Sequence, residues 1–425
     1  MPKPIRVFEH EYLDIGTKGF EKHHWKALAY YNLKNGNKYF TLLPEGIKFN
    51  QYVGVIQAGN LTIEILPKAD RKGFDEQNKN RWHHALIEML RDCQYIKIDY
   101  PEQASLTLHK NSILDTYLNL FLDALQQLMH EGLIKKYRKQ EGNQTALKGQ
   151  FLFSKQISNN LVHKERFYVR HTIYDKDHLI HQVLFQALKL VQRITTNPII
   201  KGKSEQVRLN FPEVKEIKVT EETFQRIIYD RKTWRYKDVL LIGKMILLNY
   251  RPGISGGTDH VLAILFDMNK LWEEYVYRQL IKLNPAWRID RQYAVNFWKP
   301  EQQMAKTLRP DLVIRNHETG CVVIDTKWKW IEDDYPADTD IQQMFAYAHY
   351  VKSKHVILLY PSDTSKKTKG QYIKKHLIGD GPNAAESIIK CALLKVGLKW
   401  QEDRFCGLDI SINDFQVLFD QRTLY

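Results

Sequence analysis

The sequence predicts a multidomain protein of mixed α and β structure, in which a β-rich N-terminal domain precedes a helical middle region and a C-terminal α/β domain. Length is the first observation behind this prediction, because 425 residues exceed what one core of about 100–200 residues organises. The second is the composition, since 43% hydrophobic and 26% charged residues are typical of a globular chain. The third is the hydrophobic spacing, which changes from alternation to a helical period and then to a succession of strands and helices.

The N-terminal domain is predicted over residues 1–110. Segments rich in β-branched and aromatic residues alternate there with turn signals such as Asn35-Gly36, a pattern typical of β-hairpins. After Phe74 the apolar residues follow helical spacing, so helical structure is expected to follow the strands. The segments predicted as strands are Tyr39–Leu43, Tyr52–Ile56 and Leu61–Leu66.

The middle region, residues 111–258, is predicted to be mainly helical. Residues 132–160 interrupt the helical spacing with many Lys, Asn, Gln and Gly and few apolar side chains, and this composition indicates a protruding or binding segment. A strand is predicted after it at Arg166–Thr172, and the Gly-rich loop 251–258 is predicted to be a linker. The predicted helices are Leu114–Met129, His178–Ile194 and Tyr236–Leu248.

The C-terminal domain is predicted over residues 259–425, where strands and helices follow one another as in an α/β module. Short apolar runs bounded by turn residues are predicted as strands, and longer amphipathic segments as helices. In chain order the prediction is a helix at Leu262–Leu283, strands at Ala294–Trp298, Asp311–Arg315 and Cys321–Thr326, a helix at Asp340–Val351 and a strand at His355–Tyr360.

Charge and composition narrow the classes of function. A formal net charge of +14 favours a polyanionic partner, nucleic acid first, because Lys and Arg release counterions from phosphates. A basic surface that serves only solubility is the alternative. The four cysteines lie far apart without zinc-ligand spacing, so reduced, buried thiols are expected. No apolar segment is long enough to span a bilayer or resembles a signal peptide, which favours a cytoplasmic, non-membrane protein.

Two acidic residues and one lysine carry the chemistry that we expect of this chain. Asp311 begins one predicted strand and Asp325 ends the next, so an antiparallel pair brings their carboxylates together. Lys327 lies two residues beyond Asp325 and therefore points to the same face. Two carboxylates can bind Mg²⁺, or Mn²⁺, while an ammonium stabilises charge as a phosphodiester is cut. This pattern favours a PD-(D/E)xK nuclease with a restriction-endonuclease-like α/β domain, and an intact fold used only for binding is the alternative.

Glu273 is a candidate for a third acidic metal ligand. It lies on the border of the apolar face of the predicted helix that precedes the two strands, whereas Glu274 is expected to point away. A position on this border would let the Glu273 carboxylate reach the metal site. An ordinary surface charge on an amphipathic helix is the alternative reading of Glu273.

Gln343 and Tyr347 are candidates on the helix that follows the two strands. With Asp340 they lie at i, i+3 and i+7, which places the three side chains on one stripe of the helix. Such a stripe can orient Lys327 or a phosphate. The alternative is an ordinary helix in which the tyrosine packs and the glutamine is solvated.

At these residues the chain resembles the McrC family, the endonuclease subunits of McrBC systems, which restrict DNA that contains modified cytosine. The resemblance covers nearly the whole chain, and it implies that Gln343 and Tyr347 are site residues, because their helix is similar to the Gln-x-x-x-Tyr motif of RecB-like nucleases. The motifs occur in the family's order: Tyr52–Ile56 with Ile63–Lys68, Asp230-Arg231 with Arg235-Tyr236, Phe266–Glu273, Pro310-Asp311 with Asp325-Thr-Lys327, and Asp340–Tyr347.

The resemblance also implies partners. DNA carrying a modified base such as 5-methylcytosine is the expected substrate, and an McrB-like AAA+ GTPase ring, docked on the N-terminal portion, is the expected motor. No Walker A sequence occurs in this chain, so we do not expect it to hydrolyse nucleotide itself. A stand-alone RecB-like repair nuclease and a catalytically silent DNA-binding or ring-activating scaffold are the alternatives. The β-rich N-terminal portion argues against the first, and the intact acidic residues and lysine argue against the second.

Overall fold

A computed structural model describes residues 4–70, 73–96, 112–252, 260–299, 301, 304–316, 320–331, 333–373, 389–401 and 404–416. The predicted linker 251–258 and the residues 316–320 between the two predicted strands of the site lie partly outside these residues. Of the helices in the described ranges, none combines the length and the apolarity needed to cross a bilayer. Cys93 is buried as expected, whereas Cys406 is exposed.

The N-terminal part contains the predicted strands, arranged in two sheets. Its elements are β1 (Ile5–Phe8), β2 (Tyr12–Asp14), α1 (Lys22–Lys34), β3 (Phe40–Leu43), β4 (Gly46–Phe49), β5 (Tyr52–Ala58) and β6 (Leu61–Leu66). Strands β2, β4 and β3 form a small antiparallel sheet, and β1, β6 and β5 begin a larger one in that order. Helix α1, which the sequence reading missed, packs Leu28 and Tyr31 into the core between these strands.

The larger N-terminal sheet is completed by two strands from much later in the chain. Strand β11 (Val261–Asp267) pairs antiparallel with β5, and β10 (Tyr250–Arg251) pairs with β11. The prediction of one helix over Leu262–Leu283 is therefore wrong in its first part, because the helix, α9 (Met268–Leu283), begins only at Met268. The run Val261-Leu-Ala-Ile is buried, and a short apolar run of this kind does not distinguish a buried strand from a buried helix by its period.

Gly54 explains why the first family motif contains a glycine. Its φ of +133° lies in a region that L side chains rarely adopt, and a Cβ at this position would lie 2.2 Å from the carbonyl oxygen of Ile264 on β11. A side chain there would separate the two strands. The motif therefore allows the N-terminal sheet to accept β11, which leads directly into α9.

The middle region is a helical bundle with one separate sheet. The helices are α2 (Glu76–Asp92), α3 (Ile113–His130), α4 (Phe153–Asn160), α5 (Leu179–Ile194), α6 (Pro198–Asn210), α7 (Glu221–Gln225) and α8 (Lys237–Leu248), which contain the predicted helical segments. The segment predicted to protrude is an antiparallel sheet of β7 (Lys136–Gln144), β9 (Phe167–Asp175) and β8 (Gln150–Phe151), with α4 beside it. The strand predicted at Arg166–Thr172 corresponds to part of β9, whereas β7 was not predicted, because its polar, half-exposed residues lack a clear apolar face.

The C-terminal part is built around a mixed sheet in the order β12-β15-β16-β17-β19-β18, with β20 paired to β19. Strand β16 lies between β15 and β17 and is interior, as its apolar run predicts. The prediction for Ala294–Trp298 holds as strand β13, but this strand pairs with β14 in a ribbon of its own. The ranges are β12 (Arg288–Arg291), β13 (Val295–Trp298), β14 (Lys306–Leu308), β15 (Leu312–Asn316), β16 (Gly320–Thr326), β17 (His355–Ser362), β18 (Lys366–Gln371), β19 (Lys390–Gln401) and β20 (Arg404–Asp409), with helices α9 (Met268–Leu283), α10 (Asp338–Val351) and α11 (Ile412–Gln416).

One hydrophobic core connects the N-terminal sheet, the helices and the C-terminal sheet. Trp328, the residue after Lys327, lies in this junction, with its ring centroid 6.1 Å from that of Trp82 and 5.1 Å from that of Trp272. Its indole N–H donates to the buried Glu9 Oε1 at 2.6 Å, just after β1. The division into three domains stays a prediction, and the boundary at 258 would separate β10 from β11 in one sheet.

We predict that the Glu9→Gln variant loses less stability than the wild type as the pH rises. Burial raises the pKa of Glu9 from 4.5 to about 7. The stability that this raised pKa represents is complete below pH 4.5 and is lost as the pH rises through about 7. Glutamine cannot ionise and keeps an oxygen for Trp328, so the wild type should lose roughly 1–3 kcal/mol more than the variant between pH 5 and pH 8.

Thermal unfolding at several pH values measures this difference. The exposed carboxylate of Glu45, between β3 and β4, gives the matched control Glu45→Gln, which should keep the wild-type pH dependence. An equal pH dependence in Glu9→Gln would contradict the assignment of this ionisation to Glu9.

Candidate active site

The register of β15 on β16 brings Asp311 and Asp325 together. Leu312 pairs with Ile324, so the residues just outside this pair, Asp311 and Asp325, lie opposite each other at the end of the two strands. Asp325 is 2% exposed. The two carboxylates predicted to meet at this edge therefore do so, in a place from which most water is excluded.

Asp311 is held by the end of β16. Its Oδ2 accepts hydrogen bonds from the backbone N–H of Thr326 at 2.8 Å and from Thr326 Oγ1 at 2.9 Å. These two donors fix one oxygen of the carboxylate and leave Oδ1 directed to other partners. Thr326, the residue between the predicted acid and lysine, was not singled out from the sequence, because a lone Thr in a strand carries no distinctive signal.

Lys327 lies within reach of Asp325 and is oriented by α10. Its Nζ is 2.6 Å from Asp325 Oδ2 and donates to Gln343 Oε1 at 3.0 Å. Gln343 Nε2 in turn donates to the Tyr347 hydroxyl at 2.6 Å, and that hydroxyl donates to the carbonyl oxygen of Arg309 at 3.2 Å. The stripe predicted on this helix thus forms a hydrogen-bonded chain that ends on the lysine.

Asp340, the first member of the same stripe, does not contact the acidic pair directly. Its Oδ1 lies 3.9 Å from Lys327 Nζ, while Oδ2 lies 2.6 Å from Lys329 Nζ and accepts from the Tyr360 hydroxyl at 2.9 Å. Asp340 therefore has partners of its own in Lys329 and Tyr360. Its negative charge adds to the electrostatic field around Lys327.

Glu273 faces Asp311 across the side chain of Gln292. The Gln292 Nε2 group donates to Glu273 Oε1 at 2.8 Å and lies 3.4 Å from Asp311 Oδ1. Glu274 does point away from this group, but it is buried rather than solvated, and it pairs with Arg278 at 2.7 Å and with Arg291. Gln292 itself was not predicted, since it lies in a turn, with a φ of 48°.

Burial and crowding disfavour the charged forms of these carboxylates. Burial, and then the nearby charge of Asp311, raise the pKa of Asp325 to about 6. Burial raises the pKa of Glu273 to about 7, with a further contribution from Asp311, and it raises the pKa of Asp311 as well. Three acidic side chains whose charged forms are disfavoured in this way favour a cation as their common partner.

The donor set fits a hard divalent cation in its chemistry. Among the described residues no group of three His, Cys, Asp or Glu side chains is close enough to hold a metal ion as it stands. Glu273 and Asp311 nevertheless direct oxygens to the same amide group of Gln292, and Asp325 lies beside Asp311. Oxygen ligands of this kind suit Mg²⁺ and Mn²⁺.

Fold and site together define a class: a mixed α/β protein with a carboxylate cluster and one lysine at the ends of two antiparallel strands in a larger sheet. The family profile described as "McrBC 5-methylcytosine restriction system component" matches residues 47–361 of the chain. The protein belongs to this McrBC family. The resemblance seen in the sequence motifs is thereby confirmed. Among curated protein sequences, none matches the chain.

Solved structures support the same fold. The chain is similar, with a TM-score of 0.68 and 18% identity over 98% of both chains, to a chain of the refined half-complex from a tetradecameric assembly of Thermococcus gammatolerans McrB AAA+ hexamers with bound McrC. It is also similar to a chain of the cryo-EM structure of the Thermococcus gammatolerans McrBC complex, with a TM-score of 0.50 and 21% identity over 67% of this chain and 89% of the other. At these identities the likeness concerns the fold.

We predict that Mg²⁺ raises the melting temperature at pH 8 and that Asp325→Asn removes this effect. The raised pKa means that the ionised Asp325 opposes folding above about pH 6, so the metal-free variant should melt at a higher temperature than the metal-free wild type. An ion at a hundred times its dissociation constant should stabilise the wild type by about 2.7 kcal/mol.

Thermal unfolding with and without Mg²⁺ measures both effects, and Mn²⁺ serves as a second ion. Asp338→Asn, which changes an exposed carboxylate in the first turn of α10, is the matched control and should keep the wild-type response. The same Mg²⁺ shift in Asp325→Asn would place the ion elsewhere.

Proposed function

We propose that this chain is the DNA-cutting subunit of an McrBC-like restriction system, a metal-dependent type IV restriction endonuclease of the PD-(D/E)xK type. The observation that carries the proposal is the meeting of Asp311, Asp325 and Lys327 at one strand end, with the lysine oriented by Gln343. Membership of the McrBC family supports it, because the family's systems restrict DNA that contains 5-methylcytosine.

Each side chain has a role in phosphodiester hydrolysis under this proposal. Asp311, Asp325 and Glu273 would hold Mg²⁺, or Mn²⁺, which polarises the phosphate and lowers the pKa of a water when bound. Lys327 donates to the phosphate oxygen on which negative charge develops, and Gln343 keeps its ammonium directed to that position. Tyr347 fixes the Gln343 amide, so both are positioning residues.

We predict a graded loss of cutting along this chain of contacts. Asp325→Ala should abolish cleavage and leave folding and DNA binding, because a metal ligand is lost while the basic surface remains. Lys327→Ala should fail in the same way, and Lys327→Arg should rescue poorly because guanidinium geometry differs. Gln343→Ala removes a hydrogen bond to a charged group and should slow cutting by roughly ten- to a hundred-fold.

Mg²⁺-dependent plasmid cutting with the partner ring and GTP, together with thermal unfolding, measures this series. Gln342→Ala, an exposed neighbour on α10, is the control for Gln343→Ala and should cut like the wild type. Full activity in a folded Asp325→Ala protein would refute the assignment. A large loss of melting temperature in Gln343→Ala or Tyr347→Phe with normal cutting would assign those residues to packing.

The partner that we propose is an McrB-type AAA+ GTPase ring, which drives cleavage and recognises the modified base. The fold supports this partner, because the chain is similar to chains of assemblies that contain McrB and McrC. In the middle region, helix α4 and the residue that follows it present an unusual surface: Phe153, Ile157 and Leu161 follow each other at four-residue intervals and are 71%, 55% and 73% exposed. An exposed apolar stripe of this kind is typical of a protein-binding surface.

We predict that Phe153→Ser combined with Ile157→Ser weakens association with the ring and its stimulated GTP hydrolysis by about ten-fold or more, because apolar area no longer leaves water on binding. Pull-down and GTPase assays measure the two effects. Ile199→Ser, which changes an isoleucine on α6 that is 78% exposed, should have no effect.

Unchanged association in the double variant would place the docking surface elsewhere. Robust cutting by the chain alone without GTP would instead favour a stand-alone nuclease.

A further inference from the structure

A short β-ribbon, formed by β13 and β14, extends from the candidate active site. Both ends of the ribbon are hydrogen-bonded to residues of the site. Before β13, the backbone N–H of Gln292 donates to the carbonyl oxygen of Asp311 at 2.9 Å. After β14, the carbonyl oxygen of Arg309 accepts from the Tyr347 hydroxyl at 3.2 Å. The position of the β13–β14 ribbon therefore depends on the positions of these site residues.

One face of the ribbon contacts α10, and the other face is open. Towards α10, Phe297, itself 40% exposed, meets Tyr350 edge to face, with ring centroids 6.1 Å apart, and the Tyr350 hydroxyl donates to the Phe297 carbonyl oxygen at 3.2 Å. On the open face, Trp298 pairs across the strands with Lys306, whose Nζ lies 5.7 Å from the centroid of the indole. Trp298 is 52% exposed. Tryptophan is enriched at binding interfaces, because its ring offers a large apolar face with one polar group.

The cations of this ribbon are available to an anion. Lys299, Lys306 and Arg309 are exposed, and within the part of the chain that the structure describes no carboxylate lies within ion-pair distance of them. The neighbouring strands differ in this respect, since Arg315 on β15 pairs with Asp290 on β12. Unpaired Lys and Arg beside an exposed aromatic ring are the combination that binds nucleic acid, because cations neutralise phosphates and the ring contacts bases or sugars.

We propose that the β13–β14 ribbon binds the DNA duplex next to the phosphodiester to be cut, with Trp298 in the groove and Lys299, Lys306 and Arg309 on the phosphates. This inference rests on the proposed nuclease function and adds the surface that delivers the duplex. A two-stranded ribbon fits the major groove, which is about 12 Å wide. Because both ends of the ribbon are hydrogen-bonded to residues of the site, a duplex bound to its open face is also held at a fixed position relative to the carboxylates.

The experiment measures binding without cutting. The full-length wild type and variants are titrated into a labelled duplex of about 30 base pairs in EDTA, at salt concentrations from about 50 to 200 mM. Trp298→Ala should weaken binding about ten-fold, as expected for the loss of an aromatic contact. Lys306→Gln should reduce the slope of log affinity against log salt by about 0.9, the value for one phosphate contact.

A second exposed pair of the same kind provides the control. Trp234 is 60% exposed, and Lys237 Nζ lies 4.4 Å from its ring centroid, but this pair lies in the middle region. Trp234→Ala and Lys237→Gln should leave both the affinity and the salt slope unchanged. Because all four side chains are on the surface, melting temperatures should match the wild type.

The outcomes separate the two proposals. Ribbon variants that bind DNA with the affinity and the salt slope of the wild type would overturn the ribbon proposal. The nuclease function would still stand. Ribbon variants that keep DNA affinity but lose association with the AAA+ ring would show that the open face binds protein, which also overturns it. A wild type that retains no duplex, alone or with the ring, would overturn both.

Discussion

The antiparallel register between β15 and β16 is the constraint on which the site depends. It places Asp311 opposite Asp325, and the two hydrogen bonds from Thr326 hold Asp311 in that position. A slip of one residue would send Asp311 and Asp325 to opposite faces, since side chains alternate along a strand. The buried strand β17, parallel to β16, holds the end of β16 from the other side, because the backbone N–H of Lys327 donates to the carbonyl oxygen of Leu359 at 2.9 Å.

The site is also continuous with the N-terminal sheet. Strand β11 belongs to that sheet, and the chain passes without a linker from Asp267 into α9, which carries Glu273. On the other side, Trp328 joins Lys327 to the buried Glu9 after β1. Under the proposed function, a partner bound to the N-terminal sheet would act on strands that lead into two parts of the site.

The sequence predicts the central pair of strands and the meeting of Asp311, Asp325 and Lys327 well, because these residues lie where strand periodicity alone determines their direction. It also predicts that Gln343 and Tyr347 share a stripe, and the structure adds the bonds between them. The sequence does not reveal which strands pair when they lie far apart in the chain. Strand β11 was read as helix since its apolar run has no distinguishing period, and its place depends on β5, far away in the chain.

The remaining omissions have the same origin. Gln292 and Thr326 are polar residues without a motif, and only the folded chain brings them to Asp311. The burial of Glu274 follows from Arg278 and Arg291, of which only the first is a helical neighbour. Local periodicity predicts which way a side chain points along its own element. It does not predict which side chains of other elements it meets.

A structure of the chain with a DNA duplex and Ca²⁺, an ion that binds oxygen ligands, tests the central claim most directly. The account predicts an ion bound by Asp311 and Asp325, with a phosphate of the duplex within hydrogen-bond distance of Lys327 Nζ. A duplex bound elsewhere, with no ion and no phosphate at these three residues, would contradict it.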